Sequence, residues 1–141
     1  LSKIYLNILL FDTYLQLFYK VTIPKIRGYI LISDRYIQDT VITDLSRFLG
    51  YDSELTRDYI NKIQKKVPLP DLIFHLSVPP IICIRRKADV PCIEYLENLF
   101  DLYNNICDKE ENIVKIDGTR PFDQILKITS EKCCKIIQRK L

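Results

Sequence analysis

Asp34 and Arg35 are the neighbouring residues of this 141-residue chain best suited to chemistry. They end the stretch Gly28-Tyr29-Ile30-Leu31-Ile32-Ser33-Asp34-Arg35-Tyr36. A carboxylate can hold a proton or a metal ion, and a guanidinium presents a planar fork of donors that matches a phosphate. The apolar run from Tyr29 to Ile32 fits a strand covered on both faces, as in the parallel sheets of α/β proteins. Ligands of open α/β sheets bind just beyond the carboxyl ends of the strands. This placement predicts a phosphate-facing pair. The same spacing fits a plainer arrangement, in which Asp34 caps the following helix and Arg35 pairs with a surface carboxylate.

The elements that must position such a pair are legible along the chain. Ile4, Ile8, Phe11, Leu15 and Phe18 recur at steps of four and three, which predicts a helix from Lys3 to about Val21. Leu6, Leu9, Leu10 and Leu17 make a second apolar face, so this helix is expected to be well buried. Pro24 and Gly28 lead to the strand at Tyr29–Ser33. A helix from about Gln38 to Leu49 ends at Gly50. Asp52 or Ser53 caps the next one, which runs to about Lys66. Asp71 to Leu76 reads as a second short strand, and Pro79-Pro80 opens a helix carrying Arg85 and Arg86. Ile93, Leu96, Phe100, Tyr103 and Cys107 mark a long amphipathic helix. Ile113 to Ile116 is a third strand, Asp117-Gly118-Thr119-Arg120 a tight turn, and Pro121 starts the last helix. Strands alternating with helices predict an α/β fold with a three-layer parallel sheet and helices on both faces, in one domain over 1–141.

Bulk composition narrows the function classes. A net charge of +3, from 21 basic and 18 acidic residues, does not favour nucleic acid as a partner. No apolar run reaches the ~18 residues of a membrane span. The five cysteines are odd in number, lack a Cys-x-x-Cys spacing and share the chain with a single histidine. This predicts no metal site and no disulfide framework, and free thiols in a reducing compartment. Cys133-Cys134 reads as core plus surface. His75 sits inside a strand and reads as a packed core residue rather than a catalytic base.

Taken in order, several segments resemble the thymidylate kinase family of P-loop nucleoside monophosphate kinases. Leu9-Leu10-Phe11 followed by a helix, then Arg27-Gly28 through Asp34-Arg35-Tyr36-Ile37, is similar to that family's approach to its Asp-Arg-Tyr motif. Pro70-Asp71-Leu72 and Val78-Pro79-Pro80 look like its strand-to-helix turn, and Leu96 to Tyr103 like the helix after its lid. Ile116-Asp117-Gly118-Thr119-Arg120-Pro121 looks like its last strand-turn-helix. The resemblance covers almost the whole chain. It implies ATP-dependent phosphoryl transfer, with magnesium, to a nucleoside monophosphate, thymidine monophosphate first among them. It implies a cytoplasmic enzyme and a homodimer joined through helices such as the first. It assigns Asp34, Arg35 and Arg86 to catalysis. Phe11, Arg35, Tyr36 and Thr40 fall to the acceptor, and Arg86, Thr119, Arg120 and Pro121 to ATP.

The chain departs from the family's pattern at four places. No Gly-x-x-x-x-Gly-Lys-Ser/Thr loop occurs in these residues, which contain three glycines. The chain opens on Leu1 and holds no methionine, so it is expected to be the C-terminal part of a longer one, with the loop and the central strand lying before it. The family's arginine is absent from Asp12-Thr13-Tyr14-Leu15-Gln16, and Thr43-Asp44 replace the usual base-reading residues. Only Lys87 remains to charge the short lid between Arg86 and Glu94. A non-catalytic nucleotide-binding or assembly module of the same ancestry is the alternative. A soluble α/β interaction domain without nucleotide chemistry is a third reading.

Overall fold

A computed structural model describes residues 2–46, 49–86, 92–108 and 110–140, the side chains of 2–7, 9, 10 and 140 excepted. The chain divides into two compact units, Leu1–Leu69 and Pro70–Leu141.

The first unit is helical. Helix α1 (Ser2–Leu17) runs on through a π-helical segment, Phe18–Thr22, into the short α2 (Ile23–Ile26). A turn then forms at Gly28, where φ is +80°, a conformation open to glycine without Cβ strain. Residues 29–33 are irregular and join no ladder. The strand predicted at Tyr29–Ser33 is therefore not observed. A strand buried on both faces needs hydrogen-bonded neighbours, and the described residues of this unit contain no other strand to supply them. Its apolar side chains are exposed instead, Ile32 to 97%.

Helix α3 (Ile37–Thr40) passes into a second π-helical segment, Val41–Leu45, and α4 spans Ser53–Gln64. Ile37, Val41, Ile42 and Leu45 pack with Ile60 and Ile63 of α4 to form the core of this unit. Thr56, Ile60 and Ile63 face inward at steps of four and three, the spacing of one helix face. Of the two expected caps, Asp52 and Ser53, it is Asp52 that caps α4, its Oδ1 accepting from the backbone N–H groups of Glu54 and Leu55 at 2.8 and 2.9 Å. The helical run before α4 is described to Leu45, with Ser46 at its C-cap, and Gly50 lies in the turn that precedes α4, at φ +63°.

The second unit is built on a two-stranded parallel sheet. Strand β1 (Ile73–Ser77) pairs with β2 (Ile113–Asp117), with Ile73 opposite Ile113 and His75 opposite Lys115. Between them lie α5 (Pro80–Arg86) and α6 (Ile93–Cys107), which pack together. Leu99, Leu102, Ile106 and Cys107 form the buried stripe of α6. The last helix, α7 (Phe122–Lys140), starts after Pro121. The architecture is thus mixed helix and parallel strand. Cys133 and Cys134 both face solvent, not one inward and one outward.

Candidate functional site

The first unit holds a cleft of about 430 Å³. Ser33, Asp34, Arg35, Tyr36, Ile37, Thr40 and Asp44 form one side of it, and Asp12, Gln16, Leu17 and Lys20 of the first helical run form the other. Four of the sequence-predicted residues, Asp34, Arg35, Tyr36 and Thr40, therefore share one concavity. Arg35 has φ +73°, in the left-handed region that a non-glycine residue rarely adopts. Ser33 Oγ donates to the Arg35 carbonyl at 2.6 Å and holds this turn. Arg35 Nη1 lies 3.4 Å from Asp39 Oδ2, one helical turn on. So the surface carboxylate of the plainer arrangement is real, but the helix cap is not. Tyr36 occupies the N-cap of α3 and no side chain caps it. The Tyr36 hydroxyl donates to the Pro68 carbonyl, and burial pushes its pKa upward. Thr40 Oγ1 donates back to the Tyr36 carbonyl at 3.4 Å.

The structure does not bring Phe11 to this cleft. Phe11 lines a separate depression of about 320 Å³ with Tyr14, Leu15, Phe18, Lys66 and Val67, where the Lys66 ammonium stands 5.7 Å from the Tyr14 ring centre. Sequence reading overlooked Lys20 as a site residue. The signal was present: Asp12, Gln16 and Lys20 fall at steps of four, a polar row beside the apolar stripe of that helix.

In the second unit the residues assigned to ATP come together at the end of the sheet. Arg86 Nη1 donates to the Gly118 carbonyl at 3.2 Å. Gly118 N–H donates to the Ser77 carbonyl at 2.9 Å, tying the turn after β2 to the end of β1. Asp117 Oδ1 accepts from the Thr119 hydroxyl at 2.6 Å and from its N–H at 2.9 Å. Those bonds hold the Asp117 carboxyl below its ordinary pKa. Arg120 Nε stands 3.8 Å from Asp117 Oδ2. Arg86 has a fork of further donors and is exposed, so it can still receive an anion. Lys87 lies outside the described residues.

His75 stacks on Tyr103, with ring centres 5.2 Å apart and planes 12° from parallel. Burial, and then the charge of Lys115, lower its pKa. The ring is packed, but it is not the fully satisfied core histidine expected: its Nε2 is buried without a hydrogen-bond partner among the described residues. The described residues contain no cluster of three or more His, Cys, Asp or Glu fit to hold a metal ion. None of their helices is long and apolar enough to cross a membrane.

Each unit thus holds a polar turn that carries an arginine and an aspartate. Comparison with known proteins adds to this. A probable thymidylate kinase of Pyrobaculum aerophilum is 28% identical over 123 residues, covering 83% of this chain and 61% of its own. A thymidylate kinase of a Sulfurihydrogenibium species is 31% identical over 109 residues, covering 72% and 52%. One from Onion yellows phytoplasma is 27% identical over 139 residues, covering 86% and 64%. The chain is related to the thymidylate kinase family. It spans about half to three-fifths of the length of most of the curated relatives it matches. No protein-family model matches it. No solved structure matches it either.

Proposed function

We propose that this chain carries the nucleotide-holding elements of a nucleoside monophosphate kinase, with thymidine monophosphate as acceptor and ATP as donor. The observation that carries this reading is the shared cleft of Asp34, Arg35, Tyr36 and Thr40, in a chain related to thymidylate kinases. Arg35 takes the acceptor's phosphate, Tyr36 and Thr40 line the acceptor pocket, and Asp34 orders the arginine. Arg86 reaches the donor's phosphates, and the Thr119-Arg120-Pro121 turn frames the adenine. Phosphoryl transfer needs mainly positioning and charge neutralisation, which spaced guanidinium groups supply.

Magnesium fits this reading as a companion of the nucleotide. It keeps most of its waters and is held by one or two carboxylates plus substrate phosphates, so no preformed protein cage is required. When bound with ATP it neutralises charge on the transferring phosphoryl. Thr43 and Asp44 sit where the family usually reads the base, and Asp44 faces the cleft. The single domain, the cytoplasmic location and the homodimer belong to the same reading.

Calorimetric titration with thymidine monophosphate, followed by an assay for diphosphate with ATP and magnesium, tests it. The expected result is saturable monophosphate binding, diphosphate formation, and clear loss of both in Arg35→Ala. Binding without turnover would leave a nucleotide-binding module of the same ancestry. Absence of binding to either nucleotide would overturn the reading.

A further inference from the structure

Lys20 lines the same cleft as Arg35, and its own helix holds it there. Its Nζ donates to Gln16 Oε1 at 3.0 Å, and Gln16 Nε2 donates to Asp12 Oδ2 at 2.7 Å. All three residues face the cleft. Lys20 belongs to the π-helical segment Phe18–Thr22. Such segments are rare and recur at functional sites, where the widened turn re-aims side chains.

Charge decides what Lys20 is for. The cleft wall sets Asp12, Asp34 and Asp44 against Lys20 and Arg35. Arg35 is already engaged by Asp39. A phosphomonoester brings roughly −1.5 to −2 further charges near neutral pH. One guanidinium shared with Asp39 does not offset that ligand in the presence of the wall's own carboxylates. Lys20 is the other cation on the wall, and its partner Gln16 is neutral. Its ammonium retains donors beyond the one given to Gln16.

We infer that Lys20 is the second phosphate-holding cation of this cleft and that Gln16 is the positioning residue that aims it. The inference rests on the reading of the cleft as a monophosphate site. The division of labour is chemical: the guanidinium fork orients the phosphate, and the ammonium adds a compact point charge.

Calorimetric titration of the wild-type chain, Lys20→Ala, Lys20→Arg and Gln16→Leu, with thymidine monophosphate and with thymidine, tests this. Lys20→Ala should weaken monophosphate binding at least tenfold, a change of about 1.4 kcal/mol, and leave thymidine affinity unchanged. Lys20→Arg should keep most of the monophosphate affinity. Gln16→Leu should show a smaller loss, again confined to the phosphorylated ligand. Lys20 is exposed, so melting curves should coincide with wild type and exclude a folding defect. If Lys20→Ala binds the monophosphate normally while Arg35→Ala does not, the inference fails and the proposed function stands. Equal losses for thymidine and its monophosphate in Lys20→Ala would also overturn it. If the wild-type chain binds no monophosphate, the functional reading itself fails.

Discussion

A left-handed backbone at Arg35, φ +73°, costs on the order of 1 kcal/mol and persists only where neighbours enforce it. Here the Ser33 hydroxyl and the Asp39 carboxylate do so. The result places a guanidinium at the mouth of a cleft, an outcome that side-chain packing alone would not require. The Arg35–Asp39 pair is solvated, so it contributes little stability, typically about 0 to 1 kcal/mol. Its value is orientation. His75 shows the opposite balance. Burial disfavours its charged form, so its folded pKa lies below the ordinary value near 6.5. The unfolded chain then binds more protons than the folded one between those two pKa values. Stability is fully present above the unfolded pKa and falls as pH drops from there through the folded pKa. His75→Phe keeps a ring against Tyr103 and removes the titration. Thermal midpoints measured across the mildly acidic range should therefore fall less steeply in His75→Phe than in wild type. Parallel curves for the two proteins would show that His75 does not titrate with folding.

At the level of elements, the turn after β2 is the most tightly constrained piece. A Cβ on Gly118 would stand 2.6 Å from Val78 Cγ2, closer than side-chain atoms approach, with the Ser77 carbonyl at 3.4 Å. Glycine is needed here for close approach, not for its φ. Gly118→Ala must push Val78 or the turn aside, and the cost expected for such overpacking is about 1–3 kcal/mol. Chemical denaturation would show it as a lower midpoint at unchanged slope. Wild-type stability would mean that Val78 re-packs freely. Because Arg86 donates to the Gly118 carbonyl, the same substitution disturbs the proposed donor side of the site as well. Helix α4 was legible from its Asp52 cap and the Thr56, Ile60 and Ile63 spacing because both signals are local. The π-helical segments were not legible: π-helical hydrogen bonding, i to i+5, has no strong residue signature, and its widened turn alters which side chains share a face.

Across the whole molecule, one apolar run became β1 and another did not become a strand. Ile73 to Leu76 and Tyr29 to Ile32 are both short, mainly apolar runs, yet only the first is in a ladder. The exposure of the second makes a clear prediction. Ile32, 97% exposed, should tolerate Ile32→Thr within about 0.5 kcal/mol. A loss of several times that amount would show that Ile32 is buried in the folded protein in solution. The sequence by itself determined the helices α4, α6 and α7 and the turns at Gly118 and Pro121. These depend on residue spacing, capping and φ preference, which act over a few positions. Tertiary structure alone decided the register of β1 against β2, that Phe11 opens onto a different depression from Arg35, and that Lys20 joins Arg35 in one cleft. Strand pairing and cleft walls join residues distant in the chain, and their geometry is set by backbone hydrogen bonds and packing partners that no local pattern specifies.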